Sequence, residues 1–195
     1  MITILFGPPG SGKGTQAALV AKRLDVPHVS TGEILRAERD RGSALGREVA
    51  PVLSQGGLVP DELVVRVIEA RLAEPDAVRG AILDGFPRTL PQALALEAML
   101  LRRGWGIAVV VALDVADPVL EERVMQRAAQ EGRDDDSRQA FARRMTVYRT
   151  DTEPVAEYYA SHGVRIVHID GVGAIDDIAG RIAAVMAAGI NGVAS

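Results

Sequence analysis

Residues 7–15 read GPPGSGKGT, set between an apolar run, Ile2-Thr3-Ile4-Leu5-Phe6, and a helix-like run from Gln16 to Leu24. Strand, glycine-rich loop, then helix is the layout of a P-loop. Gly7, Gly10, Gly12 and Gly14 let the backbone curl round a phosphate with its N–H groups turned inward. The helix N-terminus behind them adds a partial positive charge. Lys13 is placed to reach the outer phosphates, and Thr15 offers a hydroxyl near a metal. One detail departs from the usual pattern, which has Ser or Thr directly after the lysine. Here Gly14 intervenes. A glycine-rich turn that binds nothing is the bland alternative, and the flanking strand and helix argue against it.

The remaining chain reads as alternating strand and helix. Apolar runs at 2–6, 27–30, 81–84, 107–113 and 164–169 are strand candidates, and most are nearly continuous. That is expected of parallel strands covered on both faces. Helical periodicity falls at 13–24, 32–41, 44–54, 61–73, 90–102, 117–130, 136–161 and 174–188. Asp61, after Pro60, is placed to cap the helix over 61–73. The alternation predicts an α/β fold with a parallel sheet and right-handed crossovers. At 195 residues the chain is expected to be one domain with small inserts. Residues 30–60 carry more helix than a single crossover needs. Extra structure at the strand ends of such a sheet is where a second substrate would be held.

Composition narrows the partners. A net charge of −4 gives no overall basic footprint for nucleic acid. The run 107–113 is too short to span a bilayer. Met1 leads straight into a strand without a basic segment or cleavage site, so no signal peptide is expected. Cysteine is absent, which removes disulfides and thiolate metal sites and fits a reducing cytosol. The only asparagine is Asn191, so the Asn-Lys-x-Asp motif by which GTPases read guanine cannot form.

Two further groups carry chemistry. The first is LDGFPRT, residues 83–89. Asp84 ends an apolar strand on the same sheet edge as the P-loop, where a carboxylate holds Mg²⁺, usually through water. Capping of the next turn is the alternative. The second group is arginines. Arg123 and Arg127 are four apart on one helix face. Arg144 follows Arg133 by eleven residues, about three helical turns. Arg36 sits in the inserted region. A lone arginine is usually a solvated charge, but beside a P-loop the set suits phosphoryl transfer. That reaction needs alignment and positive charge on the phosphate oxygens more than covalent help. Arginine binds phosphate at two points and stays protonated. His28, His162 and His168 are scattered and read as structural. The acidic run Asp134–Asp136 reads as a helix cap or lid pairing.

The blocks GPPGSGKGTQ (7–16), STGEILR (30–36), GGLVPDEL (56–63), LDGFPRTLPQ (83–92), GRDDD (132–136) and RRMTVY-RTDTEP (143–154) together resemble the adenylate kinases, in that family's order and over nearly the whole chain. The Lys-Gly-Thr form of the loop is the form this family uses. The resemblance implies a P-loop NTPase fold with about five parallel strands, an AMP-binding insert at 30–59 and a lid at 126–136. It implies reversible, Mg²⁺-dependent transfer of the ATP γ-phosphoryl group to AMP, giving two ADP, by a cytoplasmic monomer. Gly10, Ser11, Gly12, Lys13, Gly14 and Thr15 would hold the ATP phosphates. Arg123 would lie by the adenine and phosphates of ATP and Arg127 on the phosphates, and Gly173 would offer its carbonyl to the adenine. Thr31, Arg36, Gly57, Leu58, Val59, Gly85, Phe86, Pro87, Arg88 and Gln92 would form the AMP pocket. Arg133 and Arg144 would reach across to AMP and the transferring group. Lys13, Arg88, Arg123, Arg127, Arg133 and Arg144 would then be the catalytic set. Glu33 stands where the family has Asp. Only Ala128 to Gly132 separate Arg127 from Arg133, too few for a long hairpin lid, and without cysteine a four-cysteine zinc site is ruled out. A UMP/CMP kinase on the same fold, or a nucleotide-binding regulatory module without transfer activity, are the competing readings. Thr89 with Gln92 favours adenine, since pyrimidine kinases usually carry Asn-x-x-Asn there.

Overall fold

Five parallel strands form one sheet in the order β2-β3-β1-β4-β5: β1 Ile2–Phe6, β2 His28–Ser30, β3 Ala81–Asp84, β4 Ile107–Asp114 and β5 Ile166–Asp170. The structure, a computed structural model, describes residues 1–131 and 137–191. Arg133, Asp134–Asp136 and the rest of 132–136 in the expected lid lie outside the described residues.

Alternate side chains of the strands feed two separate cores, which is why the strands read as unbroken apolar runs. Ile2, Ile4, Phe6, Leu83 and Val110 join one face. That face is covered by α4 (Asp61–Leu72), α5 (Leu90–Arg102) and α8 (Glu153–Ser161). Leu5, Ile82, Val109, Val111 and Leu113 face the other way, against α1 (Lys13–Leu24) and α9 (Ile175–Asn191). A smaller cluster, Leu120, Val124, Phe141 and Met145, holds α6 (Asp117–Glu131) to α7 (Arg138–Val147).

After β1 the chain first builds β2 and β3 on one side of it, then crosses to build β4 and β5 on the other. The crevice at the carboxyl ends beside β1 is therefore a topological switch point, where α/β sheets bind ligands. α2 (Thr31–Asp40) and α3 (Ala44–Ser54) occupy the inserted region after β2. Ser30 and Ser43 start them by accepting the N–H groups of Glu33 and Gly46.

Two expectations change. The segment 136–161 is not one helix. α7 ends at Val147, Tyr148–Thr152 form a π-helical turn in which the Glu153 N–H bonds the Tyr148 carbonyl, and α8 follows. Pro154, in the first turn of α8, has no N–H to continue the regular ladder, so the hydrogen bonds widen before it. The spacing from Arg133 to Arg144 involves a residue outside the described ones, and Arg144 itself lies on α7. Asp61 does not cap α4. Pro60 occupies that position, and the Asp61 carboxylate turns to α5 instead.

Candidate active site

The loop after β1 is shaped by close contact as much as by glycine freedom. Gly10 has φ +86°, and a Cβ there would stand 2.7 Å from the Leu120 carbonyl oxygen. Any other residue would push the loop off α6. Gly12 precedes α1 in the left-handed region and brings no side-chain cap. The first-turn N–H groups of α1 thus face the loop's concavity without a side-chain acceptor, as an anion site requires. The Lys13 ammonium folds back on the loop, donating to the carbonyls of Gly7 (2.6 Å) and Pro8 (2.9 Å) and to Ser11 Oγ (3.4 Å).

Asp84, at the end of β3, stands next to this loop: a Cβ on Gly14 would lie 3.5 Å from its Oδ2. Burial alone would raise its pKa. The hydrogen bond from His28 and the charges of Lys13, His28 and Arg88 outweigh burial and hold it below the ordinary carboxylate value. A buried, ionised carboxylate facing the exposed Thr15 side of the loop is a hard-oxygen donor set. It suits Mg²⁺, which keeps several waters and takes its other ligands from phosphates. Among the described residues no cluster of three or more His, Cys, Asp or Glu could hold a metal by itself. His28 was expected to be structural, yet its Nε2 lies 3.4 Å from Asp84 Oδ2. The short run 27–30 gives no hint of this, because the contact is made across the sheet with β3.

Beyond β3 the chain turns sharply at Gly85, φ +76°, where a Cβ would come 2.8 Å from both Arg88 Nη2 and Thr31 Oγ1. Thr31 donates to the Gly85 carbonyl (2.8 Å), and Arg88 Nε donates to the same oxygen (2.9 Å). Thr152, on the π turn, donates to the Arg88 carbonyl (3.0 Å). These bonds hold Arg88 at the mouth of the P-loop. Burial, then repulsion from Arg144, pushes its pKa down to about 10, and burial pushes Lys13 down to about 8.

Three adjoining spaces run along this edge. The first, about 580 Å³, is lined by Ser11, Thr15, Arg123 and Gly173 among others. The second, about 1030 Å³, is lined by the loop residues Gly10, Gly12, Lys13, Gly14 and Thr15, and by Asp84, Arg127 and Arg144. The third, about 570 Å³, is lined by Thr31, Leu35, Arg36, Gly57, Leu58, Val59 and Gln92. Gly12 and Thr15 border the first and second, and Arg36, Gly85, Arg88 and Arg144 border the second and third. The spaces therefore form one groove. In a chain of net charge −4, the central space brings Lys13, Arg36, Arg88, Arg127 and Arg144 against only Asp84 and Glu33 among its described lining residues. Such a local excess of positive charge focuses anions.

The structure so brings together every expected site residue that it describes, except that two are placed differently. Phe86 is wholly buried in the core beneath the turn, and Pro87 lines an adjoining cavity with Pro9, Val147 and Tyr148 rather than the third space. Arg123 is held at the first space by donating to the Gly171 carbonyl (3.1 Å). Two residues near the groove, Asp61 and Gln16, make contacts that the sequence did not predict. Gln16 is buried and donates to the Ile175 carbonyl (3.1 Å), tying α1 to the segment that carries Gly171 and Gly173.

A family model described as adenylate kinase matches residues 5–164. Among curated proteins, the chain is similar to the adenylate kinase of Stenotrophomonas maltophilia (strain K279a), with 44% identity over 188 residues, 96% of this chain and 100% of that one. It is 45% identical over 183 residues to the adenylate kinase of Xylella fastidiosa (strain M12), covering 94% and 97% of the two chains. It is also 45% identical over 182 residues to that of Xanthomonas campestris pv. campestris (strain 8004), covering 93% and 97%.

Proposed function

We propose how the groove works from one premise: the chain belongs to the adenylate kinase family and is a nucleoside monophosphate kinase. ATP occupies the first and second spaces and AMP the third, and the γ-phosphoryl group passes between them to give two ADP. The observation that carries this reading is the continuity of the groove. Arg88 and Arg144 border both the P-loop space and the third space, so the same two cations face donor and acceptor phosphates.

The P–O bond to the β,γ-bridging oxygen of ATP breaks as a new bond forms to a phosphate oxygen of AMP. That oxygen is already anionic, so no general base is needed. The α1 N-terminus and Lys13 hold the polyphosphate, and Arg123 and Arg127 line its path. Arg36, Arg88 and Arg144 draw the AMP phosphate into line against its charge repulsion. Asp84 and Thr15 are the residues that would hold Mg²⁺, which when bound neutralises charge on the β- and γ-oxygens. The insert 30–59 closes on the substrates and excludes water so that ATP is not hydrolysed. Chelation of Mg²⁺ is expected to abolish ADP formation from ATP plus AMP, and added Mg²⁺ to restore it. Turnover that survives chelation would remove the metal from this account.

A nucleotide panel tests the acceptor. In a coupled assay with ATP, AMP is expected to be phosphorylated well above CMP, UMP and GMP. Phosphorylation of CMP or UMP well above AMP would instead make this a pyrimidine nucleotide kinase. The groove is built within one chain, cysteine is absent, and no described helix is long and apolar enough to cross a membrane. The same reading is of a cytoplasmic monomer acting on ATP, AMP and ADP, as its bacterial relatives' name suggests.

A further inference from the structure

The amide of Gln92 is clamped between two groups of opposite character. Its Oε1 accepts the backbone N–H of Arg88 (2.7 Å), and its Nε2 donates to Asp61 Oδ1 (2.7 Å). A backbone N–H only donates and an ionised carboxylate only accepts, so the amide has one permitted orientation. The second oxygen of Asp61 accepts from Thr89 Oγ1 (3.0 Å), and that hydroxyl in turn accepts the N–H of Gln92 (3.3 Å) as the cap of α5. Asp61 lies in the first turn of α4, where the helix dipole favours its negative charge. It follows Gly57, Leu58 and Val59 by only a few residues. One carboxylate thus sets the Gln92 amide, and the third space is lined by Gln92 together with Gly57, Leu58 and Val59.

We propose that Asp61 is a positioning residue that fixes the polarity with which Gln92 meets the acceptor base, and so lets the third space tell a 6-amino purine from a 6-oxo purine. This rests on the reading of the third space as the AMP pocket. Once clamped, Gln92 has one lone pair and one N–H left for a ligand. Adenine presents an amino donor beside a ring acceptor. Hypoxanthine, nearly the same in shape, presents a carbonyl acceptor beside a ring N–H. A free amide could turn over to suit either base. A clamped amide suits one, and the other meets donor against donor, the kind of mismatch that a polar pocket rejects strongly. Thr89 belongs to the same device. It does not line the third space, and it acts by holding Asp61.

The test measures kcat and KM for AMP and IMP, with ATP as donor, in the wild type and in Asp61→Ala, Asp61→Asn, Gln92→Ala and Asp61→Ala/Gln92→Ala. In Asp61→Ala, the AMP-to-IMP ratio of kcat/KM is expected to fall at least ~5-fold and KM for AMP to rise about 10-fold, the scale of one hydrogen bond to a charged group. KM for ATP should stay within about twofold, since Asp61 touches nothing in the first or second space. Asp61→Asn keeps an acceptor for Gln92 Nε2, offers Thr89 Oγ1 an N–H where the carboxylate accepted its O–H, and should restore the ratio. In the Gln92→Ala background, Asp61→Ala should no longer alter the ratio, because it acts through the missing amide. An unchanged AMP-to-IMP ratio in Asp61→Ala overturns the proposal, and so does the same change persisting without Gln92. If Asp61→Ala does not fold, Asp61→Ser, whose hydroxyl serves Thr89 but does not reach Gln92, gives the same comparison. A wild-type chain that does not phosphorylate AMP would overturn the pocket assignment itself. Loss of the effect in a wild type that does phosphorylate AMP overturns the Asp61 inference alone.

Discussion

Replacing Arg88 with alanine is expected to lower kcat by at least ~10² while the fold stays intact, the scale of removing one preorganised donor to a developing charge. The two halves of this expectation have separate grounds. The loss of rate follows from position: the guanidinium borders both the P-loop space and the third space, held by its bond to the Gly85 carbonyl. No other described residue but Arg36 and Arg144 carries positive charge at that junction. Retention of the fold follows from which atoms of Arg88 bear structural bonds. Its N–H holds Gln92 and its carbonyl accepts from Thr152, backbone groups that alanine keeps, and the Gly85 carbonyl that loses the Nε bond still accepts from Thr31. The side chain itself is a desolvated cation repelled by Arg144 and Arg36, so its removal relieves a strain of like charge. The thermal midpoint should therefore not fall, and the clamp on Gln92 should survive. The coupled assay at saturating ATP and AMP, with a melting curve for the same sample, reads both halves. Near-wild-type turnover would remove Arg88 from the catalytic set. Arg88→Lys should recover only part of the rate, since an ammonium cannot span two phosphate oxygens in the arginine manner.

The parts of the molecule set by local chemistry were legible from the chain alone, and those set by pairing across the sheet were not. The strand over 81–84 and the P-loop follow from period and from turn chemistry. The lysine and four arginines that line the central space could be picked out by their place in or around the P-loop pattern. The contact of His28 with Asp84 depends on β2 lying beside β3, although the partners are 56 positions apart in the chain. Nothing within three or four positions of His28 encodes that. Asp61 misled for a related reason. An acidic residue after a proline at a helix start reads as a cap, and its real partners, Thr89 and Gln92, come from the start of a different helix. The break in 136–161 was visible in principle, since Pro154 stands inside the periodic stretch. The buried positions Phe141, Met145, Thr152, Val155 and Tyr159 keep near-helical spacing through it, so the period alone does not reveal the break.

Lys13→Met should produce a loss of at least ~10², in kcat/KM for ATP as well as in kcat, since Lys13 serves the donor nucleotide before and during transfer. The lysine also gives a signature that charge removal elsewhere cannot imitate. Burial brings it down from 10.5 to about 8, against the pull of Asp84 and with the help of Arg88, Arg144 and Arg127. Without nucleotide, the unfolded chain keeps this proton up to 10.5 and the folded chain gives it up near 8. The unfolded state thus binds more protons between those values, and the lysine's contribution to stability becomes more favourable as pH rises through that window. ATP reverses the preference, because its phosphates select the charged ammonium. Below about 8 the lysine is already charged and affinity should be flat. Above it, binding must take up a proton, and the dissociation constant should rise with a slope approaching tenfold per pH unit. Titration of ATP binding from pH 7 to 9 should show this bend in the wild type and a flat line, at weaker affinity, in Lys13→Met. A wild-type profile without the bend would show that Lys13 keeps its proton through this window, and the same bend in the methionine variant would show that another group is its source.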